Sequence, residues 1–89
     1  MSASAEAANS AVVIGTTAGL LASARARRES VLIQNVHADQ HLFIGSNDQV
    51  TTSNGLKVLA GESVRLRYRG TVYGIASGAD TDVRIFEEF

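Results

Sequence analysis

Two turn signals stand a few residues apart between Val50 and Glu62, and most of the chain repeats that grammar. Asn54-Gly55 is the first. A tight type I′ hairpin turn needs positive φ at both central residues, and this dipeptide supplies it at little steric cost. Ala60-Gly61-Glu62 is the second break. Leu56 to Leu59 reads as a short strand between them, and Val64 to Tyr68 as the next. Few folds tolerate reversals this frequent. Strands of a few residues with turns about every ten mark an antiparallel sandwich or barrel.

Other segments fit the pattern. Ala11 to Ile14 has the β-branched content of a strand, and Gly15 to Gly19 breaks it. Leu20 to Arg28 is ambiguous: a short helix along Leu20, Leu21, Ala24 and Arg28 competes with a loop holding a strand segment, and the loop is favoured. In Ser30 to Val36, Val31, Ile33 and Asn35 share one face, and Leu32, Gln34 and Val36 the other. His37 to Gln40 is a turn, His41 to Gly45 a strand, and Ser46 to Asp48 a turn rich in side chains that bond their own backbone. Val64 to Arg69 alternates strictly, with Val64, Leu66 and Tyr68 opposite Arg65, Arg67 and Arg69. Val72 to Ala76 and Asp82 to Glu87 complete about seven short strands. No helical segment is placed to serve as the crossover a parallel sheet requires.

The expected architecture is therefore all-β, a small antiparallel sandwich of jelly-roll-like or barrel-like form. Residues 1–10 contain only Met, Ala, Ser, Glu and Asn, with no apolar stripe to dock, and read as an extended arm. Residues 11–89 read as a single domain. At 89 residues its core is marginal, and with no cysteine it has neither disulfides nor thiolate metal sites as staples. Oligomerisation is the staple that remains. Net charge is −1, which argues against a polyelectrolyte binder. Lys57 is the only lysine, so the positive charge is almost all arginine, a residue favoured at protein interfaces. Ala11 to Ala24 is apolar but too short and too polar to span a bilayer.

Four classes of site compete in this sequence. Catalysis would draw on His37 or His41 with Ser46, Ser53, Asp39 and Asp48, but no nucleophile elbow, phosphate loop or carboxylate pair accompanies them. His37, Asp39 and His41 are sound ligand types for a divalent ion, yet a turn between the histidines scatters them. Arg65, Arg67, Arg69 and Arg84 could form a basic stripe for nucleic acid, but Tyr68 points away from it and stacking platforms are missing. Protein–protein assembly gathers the most features. Its candidate contacts are Arg65, Arg67 and Arg69, with Arg25, Arg27 and Arg28. No catalytic, cofactor or metal residue is assigned.

The ordered series Arg28-Glu29-Ser30-Val31-Leu32-Ile33-Gln34-Asn35, Leu42-Phe43-Ile44-Gly45, Val50 to Gly55, Leu59 to Val64, Thr71 to Ala76 and Asp82 to Glu87 resembles small virion proteins of tailed bacteriophages. These are capsid cement (decoration) proteins and base domains of head fibres. The resemblance covers about residues 28–87 and supplies no catalytic residues. It implies a structural protein on the capsid exterior, not an enzyme. It further implies a homotrimer bound to the major capsid protein and stabilising subunit junctions, with no cofactor, membrane or nucleic acid. The alternatives are a head-fibre or tail-associated virion module, a nucleic-acid-binding β domain, and a sugar-binding module.

Overall fold

The computed structural model describes residues 6–89 and contains eight strands with no helix. They are β1 (Ala7–Ile14), β2 (Gly19–Ala22), β3 (Ser30–Asn35), β4 (Leu42–Gly45), β5 (Leu56–Val58), β6 (Ser63–Leu66), β7 (Val72–Ala76) and β8 (Thr81–Glu88). Two four-stranded sheets have the orders β1-β8-β3-β6 and β2-β7-β4-β5, and every ladder is antiparallel. Only β4 and β5 are consecutive strands of one sheet. Every other connection passes from one sheet to the other. This interleaving is the double-sheet jelly roll.

Alternation decides which side chains meet between the sheets. Val31 and Ile33 of β3 and Val83 and Ile85 of β8 face Leu42 and Ile44 of β4 and Val72 and Ala76 of β7. Ile14, Leu21, Ala22 and Val58 complete this cluster, with Val64 and Leu66 packed against it. Among the described residues this cluster contains no aromatic ring, and the buried Phe43 lies outside it. Gly74 of β7 is tight within its own sheet: a Cβ there would stand 2.7 Å from Leu21 Cδ1 on the neighbouring β2. Asn35 is the one polar member of the β3 inner face. Its Nδ2 donates to the carbonyls of Gln40 (2.8 Å) and Val58 (3.2 Å), and its Oδ1 accepts from the His37 amide. These bonds satisfy a fully buried amide and tie the β3–β4 turn to β5.

Four features differ from expectation. β1 begins at Ala7, so residues 7–10 belong to the domain and not to an arm; they pair with Glu88 to Ile85. Ladder hydrogen bonds hold this segment, and they need no apolar stripe. Residues 1–5 of the expected arm lie outside the described residues. Gly19–Ala22 forms a strand, raising the count from about seven to eight. The arginine alternation holds only to Leu66, where β6 ends.

The fourth difference concerns Asn54-Gly55. Among the described residues, positive φ occurs only at Gly61 (78°) and Asp80 (58°). Asn54-Gly55 is therefore not a type I′ turn. It closes a ten-residue connection in which the Asn54 and Gly55 amides donate to the Thr51 carbonyl. Gly55 is required by close approach: a Cβ would lie 2.7 Å from Phe43 Cβ and 2.9 Å from Val50 Cγ2. The second signal is a true tight turn. The Glu62 amide donates to the Leu59 carbonyl, with Gly61 at the left-handed position. It leads β5 of one sheet into β6 of the other.

Candidate functional site

The antiparallel order brings two connections side by side at one end of the sandwich. Residues 23–29 join β2 to β3, and residues 67–71 join β6 to β7. They hold five of the six arginines singled out in the sequence, and Arg65 at the end of β6 is the sixth. The two segments are laced together. The Arg25 amide donates to the Arg69 carbonyl (2.8 Å), and Arg69 Nε donates to the Arg28 carbonyl (3.0 Å).

Arg28 is a correction to the expected contact set. It is fully buried and cannot touch a partner. Its Nε donates to the Tyr68 carbonyl (2.9 Å), one terminal nitrogen to the Ser23 carbonyl (2.9 Å) and Glu87 Oε2 (2.7 Å), and the other to the Gly70 carbonyl (2.8 Å). A guanidinium has five N–H donors in a rigid fork, so one side chain can fasten three carbonyls and a carboxylate at once. Burial of its charge is tolerable only because Glu87 is beside it. Glu87 was missed in the sequence, although a signal existed. It falls in phase with Val83 and Ile85, so it points inward, and an inward carboxylate needs a cation.

The other five arginines surround this clamp. Arg25 is half-exposed, with its Nε 3.8 Å from Glu87 and its guanidinium 5.4 Å above the Phe89 ring. Arg27 is exposed. A polar cleft is lined by Glu29, Ser30, Arg65, Arg67, Arg69 and Glu88, with Arg28 beneath them. Within it Arg65 donates to Glu88 and to Ser30 Oγ (3.1 Å), and Ser30 Oγ donates to Glu88 Oε1 (3.0 Å). Arg67 and the terminal nitrogens of Arg69 have no hydrogen-bond partner among the described residues. The cleft thus presents unspent planar donors on a backbone held rigid by Arg28, an arrangement suited to carboxylates of a protein partner. Arg84 lies elsewhere and pairs with Asp82 at 2.8 Å.

The Ser30 hydroxyl, and after it Arg65, hold the Glu88 carboxyl below its ordinary value of 4.5. Because the folded value is depressed, this contact contributes fully above that ordinary value. The contribution is lost as pH falls through the folded value. Arg65→Gln is therefore expected to flatten the acid limb of the stability profile below about pH 4.5. Urea midpoints of both proteins across that range check this; parallel profiles would refute it.

The histidines do different work. His37 Nδ1 accepts from the amides of Asp39 and Gln40, both at 2.9 Å, and His41 Nδ1 accepts from the Ala60 amide at 3.3 Å. Both nitrogens serve turn architecture. No group of three potential metal-ligating side chains occurs among the described residues. Residues 11–24, weighed as a membrane span, form the end of β1, a loop and β2.

No protein-family model matches the sequence, and no curated protein does. Solved structures share the fold. The stem and receptor-binding domain of spike protein P1 from bacteriophage PM2 superposes with a TM-score of 0.66 at 19% identity, covering 90% of this chain and 32% of that one. This chain therefore spans about a third of that structure. A Bacillus endospore appendage protein, from a family of disulfide-linked pili, gives 0.53 at 13% identity and covers 93% and 84%. The likeness is one of fold. A bacteriophage spike protein uses this fold, as does a bacterial surface appendage.

Proposed function

We propose that this chain is a structural protein of a bacteriophage virion, a jelly-roll cement module seated on the outside of the head. Its role is binding and mechanical, with no reaction. The supporting observation is the arginine-rich end. Arg67 and Arg69 offer unspent donors on connections that Arg28 locks in place, so little ordering entropy opposes contact with the carboxylates of a capsid protein. Many such contacts over a shell add multivalently and brace subunit junctions against internal pressure. The sequence series of residues 28–87 supports the same reading.

A second reading is a module of a spike or head fibre. It is favoured by the superposition of 90% of this chain on part of a phage spike protein. Immunogold labelling of purified virions separates the two. Cement gives label over the whole head surface, and a spike module gives label at discrete projections. Adding purified protein to heads that lack it tests the contact. Arg67→Glu with Arg69→Glu is expected to lower occupancy about tenfold or more, since reversed charge opposes the partner's carboxylates. Unchanged occupancy would remove the arginine end from the interface. Binding to DNA with a steep salt dependence would favour the nucleic-acid reading instead.

A further inference from the structure

The two sheets have four edges, and three of them are blunted. β6 carries Arg65 and is followed by Arg67. β5 has three residues, one of them Lys57. β2 has four residues and a register shift between Leu20 and Ala22. Charge, shortness and irregularity are the usual protections of an exposed strand. The fourth edge is β1, and it has none of them. Its eight residues, Ala7-Ala8-Asn9-Ser10-Ala11-Val12-Val13-Ile14, contain no charge and no proline, and they run in unbroken register against β8.

The backbone groups on that edge follow from the ladder. The Phe89 amide donates to the Glu6 carbonyl, so the hydrogen-bonded pairs with β8 fall on even-numbered residues of β1. The neighbouring ladder agrees, because the Val36 amide donates to the Asp82 carbonyl on the opposite side of β8. The N–H and C=O groups of Ala7, Asn9, Ala11 and Val13 therefore point away from the sheet. No hydrogen bond to them occurs among the described residues.

We infer that two copies of this chain join edge to edge through β1, antiparallel about a twofold axis at Ser10, making one continuous eight-stranded sheet. The strand is complementary to itself in this register. Ala7 stands opposite Val13 of the second copy and Asn9 opposite Ala11, so outward groups meet outward groups. Four hydrogen-bonded pairs with two bonds each give about eight backbone hydrogen bonds. No like charges oppose one another. Val13, 64% exposed in the single chain, gains cover. A second copy is the occupant argued for because the other three sheet edges among the described residues are blunted and this one matches itself. The contact also supplies the oligomeric staple that a small cysteine-free core lacks. It is closed by a twofold, so it does not build the trimer that the family resemblance implies. It does not depend on what the arginine end binds.

Ser10 provides the test. In this register it faces Ser10 of the second copy as a non-hydrogen-bonded pair, with Cα atoms about 4.5 Å apart, within disulfide range. The chain has no other cysteine to compete. Ser10→Cys is expected to form a disulfide-linked dimer under mild oxidation, whereas Leu56→Cys, at an exposed site on β5 of the other sheet, stays monomeric on a non-reducing gel. Light scattering of the unmodified full chain should give about 19 kDa, twice its 9.4 kDa. Ala11→Pro removes an outward N–H without touching the β8 ladder and should raise the dimer dissociation constant roughly 30-fold. Ala11→Lys, with its side chain on the exposed outer face, should weaken the pair while leaving the monomer's melting temperature unchanged. A monomer at micromolar concentration, a trimer mass near 28 kDa, or no cross-link in Ser10→Cys would each overturn the inference.

Discussion

Replacing Arg28 with alanine is expected to destabilise the domain by about 3–5 kcal/mol, enough to leave much of it unfolded at physiological temperature. The change removes more than one ion pair. The Glu87 carboxylate would remain nearly buried with only the half-exposed Arg25, 3.8 Å away, as a counter-ion, and the carbonyls of Ser23, Tyr68 and Gly70 would lose their donors. Charge alone is not the point, because Arg28→Lys keeps it. An ammonium is a compact donor without the planar fork, so lysine is expected to recover only a minor part of the loss. A hydrophobic replacement of both partners, Arg28→Met with Glu87→Leu, should recover more than lysine does. Buried ion pairs often give way to apolar side chains at small cost, but breaking one partner is expensive. The three carbonyls keep that recovery incomplete. Urea unfolding of the four proteins gives the ranking. A mild loss in Arg28→Ala, below about 1 kcal/mol, would mean that water replaces the clamp and that the arginine end is not rigid.

The second large effect lies at Gly55. Gly55→Val is expected to cost about 3 kcal/mol, at the upper end of overpacking substitutions. The Cβ alone meets Phe43 Cβ at 2.7 Å and the Phe43 carbonyl carbon at 3.1 Å, and the latter is backbone that cannot swing aside. Gly55→Asn separates this cause from the turn conformation a sequence reader would assume. In a type I′ turn asparagine is tolerated at that position, because it accepts positive φ. Here it should be nearly as harmful as valine. Gly61→Ala behaves oppositely: there is open space around a Cβ, and the cost is that of a non-glycine residue at φ 78°. Thermal melts of the three variants decide the matter. A well-tolerated Gly55→Asn would restore the turn explanation.

These two residues also show how far the sequence could be read. The period-two pattern grouped Val31, Ile33 and Asn35 on one face of β3, and Val83 and Ile85 on one face of β8, but only the structure shows that these are the inner faces. Turn spacing set the fold class, and seven of the eight strands were legible, with β1 placed four residues late. Of the six arginines, whose gathering at one end was not legible in the sequence, five are exposed and Arg28 is buried. Its own neighbourhood gave no warning, since Arg25 to Arg28 looks like a solvated basic run.

Local pattern determined that this chain is an antiparallel β protein with short strands, and which side chains share a face. That much follows because side-chain direction alternates with every residue, whatever the strand's neighbours. Tertiary structure alone decided what stands opposite each face. It set the order β1-β8-β3-β6, placed Glu87 against Arg28, pressed Phe43 onto Gly55, and left β1 with no neighbouring strand on its outer edge among the described residues. Those contacts join residues far apart in sequence, such as Arg28 and Glu87, 59 positions apart, and periodicity carries no information about them.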